Sequence, residues 1–239
     1  MKPILIPLLI FCCWIPAAGA DGFEKTEFKT PSGRAIRYLK LDPAKMEPGK
    51  QYPLVLALHG AGGRGQRNWE KNCYANAVLA KPGMREKYPC FVVAPTVDRG
   101  QSWSGDRLRD VFELIGKLQQ DLPVDPDRVY VTGQSMGGYG TFQALVERPK
   151  LFAAGAPVCG GNNPANAGKI SAVPIWIFHG AKDTAVPVTR SREMVEALKK
   201  AGGEPKYTEF PKTGHGAWTP AYNSAALWAW MFSQRRAKS

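Results

Sequence analysis

Val129-Tyr130-Val131-Thr132-Gly133-Gln134-Ser135-Met136-Gly137-Gly138-Tyr139 decides how the rest of the chain is read. A short apolar run, Val129 to Thr132, ends at Gly133, and a helix-forming stretch from Tyr139 to Glu147 follows. The turn between them has the form G-x-S-x-G in a strand-to-helix context. A turn this sharp holds its serine in a strained backbone conformation, and side chains on the flanking residues would strike the neighbouring strand and helix, so glycine stands there. The geometry lifts the Ser135 hydroxyl into the open. It also places the Met136 N–H, at a helix N-terminus, where an oxyanion would develop.

A serine hydroxyl is a weak nucleophile without a base. The chain has three histidines, so each can be weighed. His59 closes an apolar strand before Gly60, and His179 closes another before Gly180; both are read as structural, with imidazoles hydrogen-bonded to loop backbone. His215 lies in Thr213-Gly214-His215-Gly216, a flexible loop after the last strand. A loop position suits a base that must serve nucleophile and leaving group in turn. Asp183, in His179-Gly180-Ala181-Lys182-Asp183, is the only aspartate between Ser135 and His215. It falls just past a strand, and the order Ser, Asp, His follows. Glu193 and Glu196 fall on an amphipathic helix, Glu204 in a turn and Glu209 in a strand; all four are read as surface charge. Asp183 is expected to accept from one ring nitrogen of His215 and fix its tautomer. A second oxyanion donor is expected from His59-Gly60-Ala61-Gly62-Gly63: the Ala61 N–H, with Gly62 as the fallback. No Gly-Lys-Ser/Thr follows this loop, which argues against a phosphate cradle.

Further apolar runs surround these residues: Leu54 to Leu58, Phe91 to Ala94, Ala153 to Val158, Ile175 to Phe178 and Tyr207 to Phe210. Runs this short and apolar suit strands buried on both faces of a mainly parallel sheet. Helical periodicity fills the gaps over Asp106 to Leu122, Thr189 to Ala201 and Ala221 to Gln234, the last placing Ala225, Leu227, Trp228, Met231 and Phe232 for packing. Residues 23 to 41 read as a hairpin around Pro31-Ser32-Gly33. The alternation implies an α/β fold, a sheet with helices on both faces, over residues 21–239 as one domain.

Residues 1–20 are read as a cleaved signal peptide: Lys2, an apolar stretch from Ile4 to Ile15, then Ala18-Gly19-Ala20. The apolar stretch is too short for a membrane anchor, and the expected location is secreted or periplasmic. Cleavage would leave Cys73, Cys90 and Cys159. Three thiols permit one disulfide, while Cys90 and Cys159 also read as buried small hydrophobes, and their spacing argues against structural zinc. The net charge of +12 is scattered along the chain and no nucleic-acid motif accompanies it, so it reads as a solvated basic surface.

Taken in order, LALHGAGGRG, YPCFVVAP, VYVTGQSMGGYGT, PIWIFHGAKDTAVPV and TGHGAWTPAYN resemble the α/β-hydrolase superfamily over nearly all of residues 21–239. More narrowly they resemble small bacterial carboxylesterases related to dienelactone hydrolase and to polyhydroxybutyrate depolymerases and feruloyl esterases, some labelled predicted peptidases. The resemblance implies a mostly parallel sheet without a large cap, no metal and no organic cofactor. It carries Ser135, Asp183 and His215 as a triad, with Ala61 and Met136 as oxyanion donors. Dienelactone hydrolases usually carry cysteine as the nucleophile, so Ser135 argues against dienelactone chemistry. The short span from Ser135 to Asp183 leaves no room for a large lid, and an open cleft suits short-chain esters or acyl esters projecting from a polysaccharide. Trp103 and Trp218 are candidate walls of that cleft. The expected activity is ester hydrolysis through an acyl-enzyme. A prolyl-oligopeptidase-type peptidase is the nearest rival, and a catalytically inactive binding protein on the same scaffold is the other.

Overall fold

The computed structural model describes residues 22–65 and 73–236. Eight strands form one sheet: β1 (Glu24–Lys29), β2 (Ala35–Leu41), β3 (Tyr52–Leu58), β4 (Phe91–Thr96), β5 (Val124–Gln134), β6 (Ala154–Val158), β7 (Trp176–Gly180) and β8 (Lys206–Phe210). The order across the sheet is β1-β2-β4-β3-β5-β6-β7-β8. β1 and β2 are an antiparallel hairpin, β2 meets β4 antiparallel, and every pairing from β4 to β8 is parallel. The stretch from Phe23 to Leu41 thus forms the hairpin its alternation implied, with the turn at Pro31-Ser32-Gly33.

The helices are α1 (Tyr74–Leu79), α2 (Pro82–Lys87), α3 (Gly105–Asp121), α4 (Met136–Glu147), α5 (Ala167–Ile170), α6 (Thr189–Lys200), α7 (Trp218–Tyr222) and α8 (Ala225–Ser233). Strand residues alternate between two cores because successive side chains point to opposite faces. Leu54, Leu56 and Leu58 of β3 join Val129 and Val131 of β5 against Leu108 and Ile115 of α3, Phe142 of α4 and Met194 of α6. Val55 and Ala57 join Val92, Ala94 and Tyr130 on the other face, against Val78 of α1, Tyr222 of α7 and Trp228 and Met231 of α8. Burying each of these aliphatic side chains contributes roughly 1.5–3 kcal/mol, which explains why the central strands carry no polar alternation.

One expectation is corrected at the C-terminal end. Ala221 to Gln234 is not a single helix: α7 stops at Tyr222 and α8 begins at Ala225. Asn223 turns its side chain back onto the Thr219 carbonyl, and extended Ser224 precedes α8. Asn and Ser favour such local bonds over helix continuation. The break leaves Ala225 exposed, whereas Leu227, Trp228 and Met231 are buried. On α3, Asp110 is fully buried because the Arg34 fork from the β1–β2 turn grips its carboxylate at 2.6 and 2.9 Å. A buried carboxylate needs such a partner.

Candidate functional site

The parallel strands β5, β6 and β7 end side by side, and the candidate residues occupy the loops at those ends. β5 runs to Gln134, α4 starts at Met136, and Ser135 between them has φ 56 and ψ −118. A non-glycine residue there costs about 1–3 kcal/mol. The cost is offset by neighbours that fix the backbone: the Ser135 N–H donates to Val158 O at 2.9 Å, and Tyr139 N–H donates to Ser135 O at 3.1 Å. Gly133 and Gly137 are dictated by close approach. A Cβ on either would collide with the Leu58 carbonyl oxygen, and one on Gly137 would also sit 2.9 Å from the His59 carbonyl oxygen.

Ser135, His215 and Asp183 form one hydrogen-bonded chain. His215 Nε2 lies 2.9 Å from Ser135 Oγ, and His215 Nδ1 lies 2.8 Å from Asp183 Oδ2. With Nδ1–H donating to the carboxylate, Nε2 is left free to accept from the serine hydroxyl. Asp183 Oδ1 accepts from the Ala185 and Val186 amides, both at 2.9 Å. Burial alone would raise the Asp183 pKa, but the His215 hydrogen bond and these two amides outweigh it and hold the carboxyl below its ordinary range. The His215 backbone is tied as well, since Cys159 Sγ–H donates to its carbonyl at 3.4 Å.

Ala61 opens a one-turn 3-10 helix, Ala61–Gly63, and Met136 opens α4. The first amide of each has no acceptor within its own helix. Gly60 passes so close to the serine that a Cβ there would lie 3.4 Å from Ser135 Cβ. His59 braces this loop: Nδ1–H donates to Gly60 O at 2.6 Å, and Nε2 accepts from the Val97 amide at 3.2 Å. Burial lowers the His59 pKa to about 4, so the ring is neutral and can play both parts.

Beside Met136 opens a cleft of about 940 Å³. Met136, Tyr139, Gly140 and Gln143 line it from one face of α4, and Asn162, Asn163 and Asn166 line it from the loop after β6. The amides are threaded together. Asn166 Nδ2 donates to Asn162 Oδ1 at 2.9 Å, Asn162 Nδ2 to Gln143 Oε1 at 3.1 Å, and Gln143 Nε2 to Glu147 at 2.9 Å. Among the described residues no carboxylate lines the cleft, and Arg190 is its one charged group. These residues escaped the sequence reading because amides in a loop follow no period. The Gly160-Gly161-Asn162-Asn163-Pro164 run was the available signal.

Of the two tryptophans expected at the cleft, Trp103 lines it and Trp218 does not. Trp103 reaches the cleft but is only 2% exposed, and its indole N–H donates to the His59 carbonyl at 2.9 Å. It is part of the floor. Trp218 does not line the cleft: its ring packs edge-on against His215 with centroids 5.1 Å apart. α7 starts directly after the His215 loop, which places the indole against the imidazole.

Cys73, Cys90 and Cys159 are all buried free thiols. Ligand-type atoms of Cys159, His179 and Asp183 lie within 4.8 Å of one another. They make a poor metal site, since burial pushes the Cys159 thiol up to about 12 and both other groups are engaged by protein partners.

The sequence model of the dienelactone hydrolase family matches residues 94–230, more than half of the chain. The chain belongs to the dienelactone hydrolase family. As in other α/β-hydrolases, its sheet is mostly parallel with helices on both faces, and no large cap is present among the described residues. A solved structure of a thermostable esterase superposes on this family member with a TM-score of 0.85 at 38% identity, over 90% of this chain and 64% of that one. The bifunctional acetylxylan esterase/xylanase XynS20E of Neocallimastix patriciarum is 31% identical over 59% of this chain and 20% of its own length. The uncharacterized peptidase YuxL of Bacillus subtilis (strain 168) is 24% identical over 80% of this chain and 35% of its own. The chain thus spans about a fifth to a third of these two curated relatives.

Proposed function

We propose that this chain hydrolyses carboxylic esters by two-step acyl transfer through Ser135. The observation that carries this is the unbroken chain from Asp183 through His215 to Ser135, at 2.8 and 2.9 Å, ending on a serine held at positive φ. Ser135 Oγ attacks the ester carbonyl carbon as His215 Nε2 takes its proton. The carbonyl oxygen becomes an oxyanion facing the Ala61 and Met136 amides. His215 then returns the proton to the departing alcohol, and water repeats the sequence on the acyl-enzyme to release the acid. Asp183 stays ionised and holds the imidazole through both steps.

The substrate class follows from the cleft. An open trough threaded with neutral amides leaves N–H donors and carbonyl acceptors for hydroxyl groups, which use both. Among the described residues no large cap stands over it to enclose a long lipid chain. We therefore read the substrates as short acyl esters, including those carried on polysaccharides, with Tyr139, Gln143 and Asn162 beside the hydroxylated portion. Ala18-Gly19-Ala20 after the apolar stretch supports secretion. Residues 1–21 lie outside the described residues, and among those described no helix is long and apolar enough to cross a membrane.

The test is a p-nitrophenyl ester series from acetate to dodecanoate, run beside peptide p-nitroanilides. Turnover should peak at the short acyl chains and fall on the order of 10⁶-fold in Ser135→Ala. Serine-dependent cleavage of the anilides with the esters left untouched would make the protein a peptidase instead, as the name of the Bacillus subtilis relative suggests for that protein.

A further inference from the structure

We propose that His179 is a positioning residue that donates a second imidazole hydrogen bond to Asp183 and thereby tunes the basicity of the His215–Asp183 pair. This rests on Asp183 being the orienting acid.

His179 ends β7 and is fully buried. Its Nε2 lies 3.2 Å from Asp183 Oδ2, the same oxygen that His215 Nδ1 approaches at 2.8 Å. It also lies 3.0 Å from the Val186 carbonyl oxygen. A nitrogen facing two acceptors carries the proton. The other nitrogen, Nδ1, then accepts from the Ser191 hydroxyl at 2.7 Å, which takes the one proton that could otherwise go to Gly160 O at 3.0 Å. Ser191 is fully buried in the first turn of α6. His179 is thus pinned at both nitrogens and has one way to face the carboxylate. Burial lowers its pKa, which keeps the ring neutral, so its effect on Asp183 is that of a donor and not of a counter-charge.

Asp183 receives three N–H donors, from Ala185, Val186 and His215, and His179 Nε2 stands 3.2 Å from Oδ2 in place to be a fourth. A backbone hydrogen bond alone would explain a structural histidine, as at His59. What sets His179 apart is that it shares Oδ2 with the base. Each donor to that oxygen draws off charge that the carboxylate would otherwise present to His215. Removing His179 should therefore leave more charge for the imidazolium form, keep the base protonated to higher pH, and move the acid limb of the activity profile upward.

Other groups near His179 do not titrate in that range. Cys159, at the end of β6, is pushed up to about 12 by burial. Glu209, opposite His179 on β8, is held down to about 2 by Arg192 of α6 and by Tyr207.

The experiment compares His179→Leu, His179→Gln and Ser191→Ala with the unaltered protein. Each rate is normalised to serine titratable by a fluorophosphonate, so that a poorly folded fraction drops out. The readouts are kcat, KM and the pH profile of kcat/KM on p-nitrophenyl acetate. His179→Leu should lose about tenfold in kcat with little change in KM, and its acid limb should move up by about half a pH unit. Gln carries an amide N–H near the position of Nε2, so His179→Gln should restore most of kcat and return the limb. Ser191→Ala frees Nδ1 and should shift the limb the same way by less. Normalised profiles that superimpose across all four proteins would overturn the proposal and leave the esterase reading intact. Absence of serine-dependent turnover in the unaltered protein would overturn both.

Discussion

Ser135→Ala should lower kcat for p-nitrophenyl acetate on the order of 10⁶-fold, with the folded structure unchanged. The substitution removes one atom and nothing else that holds the turn. The Ser135 amide still donates to Val158 O, and its carbonyl still accepts from Tyr139. The strain at φ 56 is the same for alanine as for serine, so stability should barely move. What is lost is the atom 2.9 Å from His215 Nε2. The cleft and the amides at Ala61 and Met136 remain, and they account for whatever residual rate exceeds that of water. Stopped-assay kinetics on the purified variant, with circular dichroism as the fold control, checks both halves of the expectation.

Asp183→Asn should cost about 10⁴ in kcat with a small change in KM. The mechanism is a forced tautomer. The introduced amide would keep its carbonyl oxygen on the Ala185 and Val186 N–H groups, where Asp183 Oδ1 accepts now at 2.9 Å. Its NH₂ would then take the place of Oδ2 and face His215 Nδ1. A donor there requires Nδ1 to accept, which puts the ring proton on Nε2. An Nε2–H cannot take the serine proton, so the base is present but unusable.

The same variant has a stability signature whose sign is fixed. Asp183 is held below its unfolded value of about 3.9. Its ionised form therefore adds stability above that pH, and the contribution is lost as pH falls through the folded value. Melting curves of the two proteins should differ most near neutral pH and converge in acid.

The sequence carried the sheet because burial on both faces leaves a plain mark. Leu54 to Leu58 and Val129 to Thr132 are continuous apolar runs, and both are central strands. The elbow was legible for a related reason: Gly133 and Gly137 meet a neighbouring carbonyl too closely for any side chain, so the spacing shows in the residues themselves. Features that depend on a distant partner were not legible. Asp110 looks like a solvated helix residue until Arg34 folds onto it from the hairpin. Trp218 looks like a cleft wall until its ring packs against His215. The gap between α7 and α8 is hidden by apolar residues on either side of it, with only Asn223 and Ser224 to mark it. The sequence places His179 at a strand end with its imidazole on loop backbone, and its bond to Val186 O agrees. Its approach to Asp183 depends on how the loop from Ala181 to Val186 closes, which no local pattern records.

The central claim is that Ser135 carries the acyl group, and the most direct measurement is mass spectrometry of the protein trapped during turnover of a slowly deacylating ester, followed by peptide mapping. The expected result is one acyl group on the peptide containing Ser135, absent from Ser135→Ala. Ester hydrolysis that proceeds with no adduct at Ser135, or with the acyl group on another residue, would contradict the account.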